Sequence, residues 1–121
     1  MQQRLLEFVA EFAACFDCIQ ALYIFGSVAR GETSTARDID ICVEWVEAFE
    51  DDAELRESYL QFQSKIEDWA TDNADRFGRR LSVHNWLWRE PEERVLDWVR
   101  GAAKTSPGRI GKAILAATPP R

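Results

Sequence analysis

The sequence predicts a single α/β or α+β domain in which a small mixed β-sheet is flanked by helices. Apolar residues recur every three or four positions in some stretches and alternate or cluster in others. These two patterns follow one another in the order helix, strand, loop, strand, helix, strand, helix. The 121 residues suffice for one hydrophobic core and not for two. With 46% hydrophobic and 30% charged residues, the composition is typical of a globular chain rather than a disordered one.

A helix over residues 3–16 and a strand over residues 19–25 open the predicted fold. The helix is indicated by apolar side chains that share one face: Leu5, Leu6, Val9, Phe12, Ala13 and Phe16. The strand segment IQALYIF is rich in branched and aromatic residues and ends at Gly26. This pattern is typical of a buried strand that closes in a tight turn.

A second strand is predicted over residues 38–46. Because side chains alternate along a strand, Asp38 and Asp40 lie on one face of it. The aliphatic members lie on the other face: Ile39, Ile41 and Val43. Two carboxylates inside a strand are costly unless they face a cation, a metal or open water. This strand is therefore the first candidate for a functional site.

A long helix, a third strand and a further helix are predicted next. The long helix has an apolar stripe and ends at Gly78. Its stripe consists of Leu55, Tyr59, Phe62, Ile66, Trp69 and Phe77. Residues 80–88 alternate as a strand does, and Pro91 beside two glutamates indicates the start of another helix.

The C-terminal segment is expected to stand apart from the rest. We expect residues 1–103 to form the domain and residues 104–121 to form a basic tail or a short helix beginning near Ser106-Pro107. One side of that helix would be apolar: Ile110, Ile114 and Ala117.

Charge is distributed unevenly along the chain. The net charge is −6, yet the only charges after Gly101 are positive, so the last 21 residues carry +4 and the first 100 carry −10. An acidic body argues against broad binding to nucleic acid, whereas the basic segment suits an acidic surface on a partner protein. No stretch approaches the roughly 20 apolar residues of a membrane span, and no secretion signal is evident. We therefore expect a cytoplasmic protein.

The three cysteines leave one alternative open. Cys15 and Cys18 have the spacing of a redox or zinc motif, and Cys42 and His84 would complete four ligands. A single closely spaced pair is a weak zinc signal, so small reduced thiols are the preferred interpretation.

The pair Gly26-Ser27 follows a strand and precedes a segment that could begin a short helix, Val28 to Arg30. Free amides at such a point, a glycine and a hydroxyl attract phosphate, and Arg30 would add a cation. The alternative is a plain tight turn.

Asp38 and Asp40 project in parallel and could converge on one Mg²⁺, which shares its oxygen ligands between carboxylates and substrate phosphates. The alternative there is a solvated strand face.

The segment from Gly26 to Asp40 resembles the signature of the minimal nucleotidyltransferases of the DNA polymerase β superfamily. That signature reads Gly-Ser-x-Ala-Arg-Gly, five residues, Ser, then Asp-Ile-Asp. The chain has GSVARG at 26–31 and DID at 38–40, with Arg37 in place of the serine. The order of elements also suits the polymerase-β-like fold over most of residues 1–100.

The resemblance implies Mg²⁺-dependent transfer of AMP from ATP to a hydroxyl group. Gly26 and Ser27 would hold the triphosphate, and the catalytic pair Asp38 and Asp40 would bind the metal. Small proteins similar to this chain commonly act as antitoxins of a HEPN-domain ribonuclease toxin, by AMPylation of the toxin or by binding it. A hetero-oligomer with such a toxin is the expected assembly.

The chain departs from the family pattern at its third carboxylate. Family members place an aspartate on a later strand in a stretch resembling VDLV, where this chain has LSVHNW. Ser82 stands at the expected position, and His84, the next residue on that face, is a poorer magnesium ligand than a carboxylate. Two functions remain open: AMP transfer, or neutralisation of a toxin by a catalytically weak homologue that binds it.

Overall fold

A computed structural model describes residues 2–32, 38–84, 90–104 and 108–118, with the side chains of 90–93 left out. It contains three α-helices and five strands in these residues. In chain order they are α1 (Gln2–Ala13), β1 (Ile19–Phe25), β2 (Asp38–Trp45), α2 (Ala53–Asp72), β3 (Arg80–His84), α3 (Glu90–Ala103), β4 (Arg109–Ile110) and β5 (Ala113–Leu115). Short 3₁₀ turns flank α2 at Phe49–Asp51 and Ala74–Phe77.

The five strands form one mixed sheet in the order β3-β2-β1-β5-β4. β1 runs antiparallel to β2 and parallel to β5, while β2 is parallel to β3 and β4 is antiparallel to β5. α1 and α2 pack on one face of the sheet and α3 packs on the other. The predicted fold class, a small mixed sheet flanked by helices, is confirmed.

Local interactions define both ends of the long helical stretch around α2. The side chain of Asp52 caps the start of α2 by accepting a hydrogen bond from the Leu55 amide at 3.0 Å. Gly78 ends the following 3₁₀ turn with a φ of 65°, a left-handed conformation that glycine adopts without strain. Both ends of this long helical stretch are thus encoded by its own residues.

The short helix expected after Ser106-Pro107 is wrong. Arg109–Ile110 and Ala113–Leu115 form a hairpin of β4 and β5, while residues 105–107 and 119–121 lie outside the described ones. Apolar spacing alone does not separate helix from strand over so few residues. The open edge of β1 decided the outcome, because β5 satisfies its backbone groups and buries Ala113 and Leu115 against the core.

One smaller prediction is wrong, and another is tested only in part. The segment Val28 to Arg30 forms hydrogen-bonded turns rather than a helix. The third strand is described as far as His84, and residues 85–88 of the predicted strand lie outside the described part of the chain. Within the described residues, no helix combines the length and apolar character that crossing a membrane requires.

Candidate functional site

A turn immediately after β1 forms the first half of the site. Gly26 begins it with a φ of 77°, and the amide of Arg30 donates back to the Gly26 carbonyl at 3.2 Å. The Glu32 amide closes the turn on the Ser27 carbonyl at 2.9 Å. Among the described residues, no acceptor receives the backbone N–H groups of Ser27, Val28 and Ala29. Three successive unbonded amides are suited to an anion.

The second half of the site, Asp40, lies directly against this turn. β1 and β2 pair so that Phe25 stands opposite Asp40. A Cβ atom built on Gly26 would lie 2.7 Å from the Asp40 Oδ2 atom, closer than real Cβ contacts. A side chain at position 26 would therefore force the Asp40 carboxylate away from the turn, and the positive φ of Gly26 also favours glycine there.

Asp38 and Asp40 lie on the α3 side of β2, at the end nearest to the turn. Asp38 is exposed, and the side chain of Asp40 is 32% exposed, so both carboxylates remain accessible to a ligand. The aliphatic residues between and after them are buried on the opposite face, as the alternation predicted. The structure thus brings the two aspartates and the Gly26-Ser27 turn together.

Ser82 and His84 reach the same face from β3. Parallel pairing sets Ser82 beside Asp40, and His84 beside Cys42. The His84 ring lies 5.4 Å from the Phe25 ring, centroid to centroid, and its Nε2 atom lies 3.6 Å from the Asp40 Oδ1 atom. Ser82 and His84 therefore occupy the strand face beside Asp40, and the sequence has no third carboxylate at this place.

Arg30 braces the turn. Its guanidinium donates to the Ser27 hydroxyl at 3.4 Å and to the Thr118 carbonyl at 3.0 Å. It also forms an ion pair with Glu32 at 3.2 Å. The cation expected to meet phosphate thus already has a carboxylate and two further oxygen partners.

A family model of the polymerase beta nucleotidyltransferases matches residues 7–91, well over half of the chain. The chain belongs to this family. The match includes the turn, both aspartates, Ser82 and His84, so these residues are parts of a nucleotidyltransferase domain. Neither curated proteins nor solved structures gave a significant match.

No sequence pattern indicated that Thr118 contacts the candidate site. Thr118 is fully buried, and its hydroxyl accepts a hydrogen bond from the Gly26 amide at 3.4 Å. It lies beyond the matched residues 7–91 and is 92 positions from Gly26. A single threonine near proline residues matches no sequence motif, so only the tertiary structure reveals its contact with Gly26.

The residues present fit a magnesium–nucleotide complex in their donor chemistry. Two carboxylates, a hydroxyl and three unbonded amides offer oxygen ligands for the metal and donors for phosphate. No three His, Cys, Asp or Glu side chains come together as a metal cluster in the described residues. Asp38 and Asp40 would therefore have to share the metal with substrate oxygens, as magnesium sites commonly do.

The zinc alternative is wrong, because its ligands are dispersed. Cys15 is exposed, Cys18 is buried on the α1 and α2 side, and Cys42 is buried under α3. The described residues therefore contain no place where three or more of these ligands meet.

Proposed function

We propose that the protein binds magnesium–ATP and transfers AMP to a hydroxyl group of a partner protein, as the antitoxin of a HEPN-domain toxin. One observation supports the site above all others: Asp40 packs against Gly26, at the start of three successive unbonded amides. A carboxylate pair and an anion cradle on adjacent strand ends make up a triphosphate site. Membership of the nucleotidyltransferase family supports the type of reaction.

Each group of the site has a distinct task in this proposal. The amides of Ser27, Val28 and Ala29 bind triphosphate oxygens, and the Ser27 hydroxyl donates to another. Asp38 and Asp40 would hold Mg²⁺, which would supply positive charge for the triphosphate and for the pyrophosphate that leaves when the hydroxyl oxygen bonds to the α-phosphorus. Arg30 keeps the turn in shape through its bonds to Ser27 and Thr118.

A second function, toxin neutralisation by binding alone, is favoured by Ser82. It pairs with Asp40 in the position where the family pattern expects an acid. A serine neither binds magnesium as strongly as a carboxylate nor accepts a proton at neutral pH. Under this alternative the site retains ATP and turns it over slowly or not at all.

The proposed partner would meet a basic surface made of Arg100, Lys104 and Arg109. These side chains border a cavity of about 390 Å³ beside α3. Arg100 pairs with Glu44 and Asp97, whereas Lys104 and Arg109 form no ion pair within the described residues. Uncompensated cations on an otherwise acidic domain favour a partner with an acidic surface.

Calorimetry with ATP tests the nucleotide site. We expect binding with Mg²⁺ and much weaker binding without it, because the two aspartates repel phosphate unless the metal lies between them. Asp38→Asn with Asp40→Asn should abolish the magnesium-dependent binding. Asp68→Asn with Asp72→Asn, an equal charge change on the exposed side of α2, is the matched control and should bind as the wild type does.

Transfer is tested separately with labelled ATP and a candidate toxin, one whose gene adjoins that of this protein and encodes a HEPN-type Arg-x4-6-His motif. Label on the toxin supports AMP transfer. A stable complex that inhibits the toxin without label supports the binding function.

If the double aspartate variant binds magnesium–ATP as well as the wild type does, the assignment of the site is wrong.

A further inference from the structure

We infer that Thr118 is a positioning residue, which holds the Gly26–Arg30 turn in the shape that binds nucleotide. The inference rests on the proposed function. It extends the site beyond the residues that match the family, because Thr118 lies in the segment after β5.

Thr118 is the one fully buried polar residue among those that the structure describes. It contacts both ends of the turn: its hydroxyl accepts from the Gly26 amide at 3.4 Å, and its carbonyl accepts from Arg30 at 3.0 Å. Its own amide donates to the Ala116 carbonyl at 2.8 Å, which curls the backbone at this point. A single residue therefore fixes the entry and the exit of the turn.

The sheet brings Thr118 to this place. β5 runs parallel to β1, and the Ala116 amide continues the ladder by donating to the Ile24 carbonyl at 2.8 Å. Because parallel strands end at the same edge of a sheet, the chain after β5 arrives where β1 passes into Gly26. The contact depends on the β5 register, since a shift of one residue would turn Thr118 to the other face.

The hydrogen bond also decides which amides are left for phosphate. The Gly26 amide is taken by Thr118, whereas the next three amides of the turn have no acceptor within the described residues. Loss of the hydroxyl leaves the Gly26 amide without this partner in a partly buried position. The turn would then rotate so that the Gly26 amide meets another acceptor. This rotation would misalign the three amides that follow.

Three full-length variants test the inference. Thr118→Val keeps the shape of the side chain and removes the hydroxyl, Thr118→Ser keeps the hydroxyl, and Thr71→Val changes an exposed threonine of α2 as a control. We expect the affinity for magnesium–ATP, measured by calorimetry below the melting temperature, to fall about fivefold in Thr118→Val. Thr118→Ser should stay within about twofold of the wild type, and Thr71→Val should be unchanged.

Amide exchange of Gly26, followed by NMR without nucleotide, gives an independent measurement. It should be faster in Thr118→Val than in the wild type and slower again in Thr118→Ser. A residue that only stabilises the fold would lower the melting temperature without altering affinity, and the serine would not restore binding.

Equal affinity in Thr118→Val and the wild type overturns the inference, even if the melting temperature falls. Gly26 exchange that is indifferent to the hydroxyl also overturns it. A wild type that binds no magnesium–ATP overturns the proposed function and this inference together. A wild type that binds ATP while Thr118→Val binds equally well overturns the inference alone.

Discussion

The two faces of the sheet are built from different kinds of residue. The face under α1 and α2 is a continuous aromatic and aliphatic core, in which Phe16 and Phe62 meet edge to face at 5.4 Å. The α3 face has a smaller apolar cluster beside partly exposed polar side chains: Asp40, Glu44, Ser82 and His84. The contrast assigns stability mainly to the first face and ligand chemistry to the second.

This division follows from what each face can bury. Full burial of large apolar side chains supplies most of the folding free energy, whereas a carboxylate keeps its charge only where solvent or a cation remains near. β2 meets both demands by alternation, since Ile39 and Ile41 face the large core and Asp38 and Asp40 face the other way.

The largest expected effect comes from truncating one phenylalanine on each face. Phe62 is fully buried and contacts Phe12, Phe16 and Trp45, so Phe62→Ala should lower the free energy of unfolding by about 3–5 kcal/mol. Phe25→Ala should cost less, because its neighbours His84 and Trp98 are only partly buried.

Denaturant unfolding measures the loss of unfolding free energy in both variants, and calorimetry measures their affinity for magnesium–ATP. Phe25→Ala should weaken nucleotide binding, because Phe25 precedes the turn and stands opposite Asp40. An equal loss of stability in both variants, with binding intact in Phe25→Ala, would remove the distinction between the faces.

Restoring an acid on the α3 face is the next test. Ser82→Asp sets a carboxylate beside Asp40, so it should strengthen metal binding and raise AMP transfer, by up to about 10²- to 10⁴-fold if the new group acts as the base. Isothermal titration with Mg²⁺ and labelled-ATP transfer give the two readouts.

His84→Ala distinguishes a decayed site from a substituted one. Loss of transfer in this variant would assign the base to His84, whose Nε2 atom lies 3.6 Å from Asp40 Oδ1. Robust wild-type transfer that responds to neither substitution would mean that β3 takes no part in the chemistry.

A smaller effect is expected from the polar network on the α3 face farther from the turn. The Tyr23 hydroxyl donates to Glu44 at 2.9 Å, and Arg100 pairs with the same carboxylate. Tyr23→Phe should lower the free energy of unfolding by about 1 kcal/mol, since Glu44 keeps its arginine. Thermal denaturation measures it, and magnesium–ATP binding should not change; a clear loss of binding would extend the site to this network.

The smallest effect concerns thiol reactivity. At pH 8 we expect a maleimide reagent to label Cys15 rapidly and to leave Cys18 and Cys42 protected until the protein unfolds. Burial raises the pKa of both protected thiols, to about 12 for Cys42, and so lowers the thiolate fraction that reacts. Rapid labelling of Cys42 in the native state would show that α3 leaves the sheet readily.

The sequence by itself determined the elements with strong local signals and indicated the residues of the candidate site. Helix periodicity located α1 and α2, alternation located β2 and the start of β3, and one motif singled out Gly26, Ser27, Asp38 and Asp40. The predictions of the helices and strands succeeded because the information lies in neighbouring residues, whereas the role of the four motif residues stays a prediction. The close approach of Gly26 to Asp40 needed coordinates, although the motif indicated that both residues belong to one site.

Only the tertiary structure decided the conformation of the C-terminal segment. Residues 109–115 have too short an apolar pattern to separate helix from strand, and their conformation follows from the unpaired edge of β1. That pairing carries Thr118 to Gly26, a contact between residues 92 positions apart that no local pattern encodes. Backbone hydrogen bonding across the sheet, rather than side-chain propensity, is the physical reason, because every buried amide and carbonyl of β1 must find a partner.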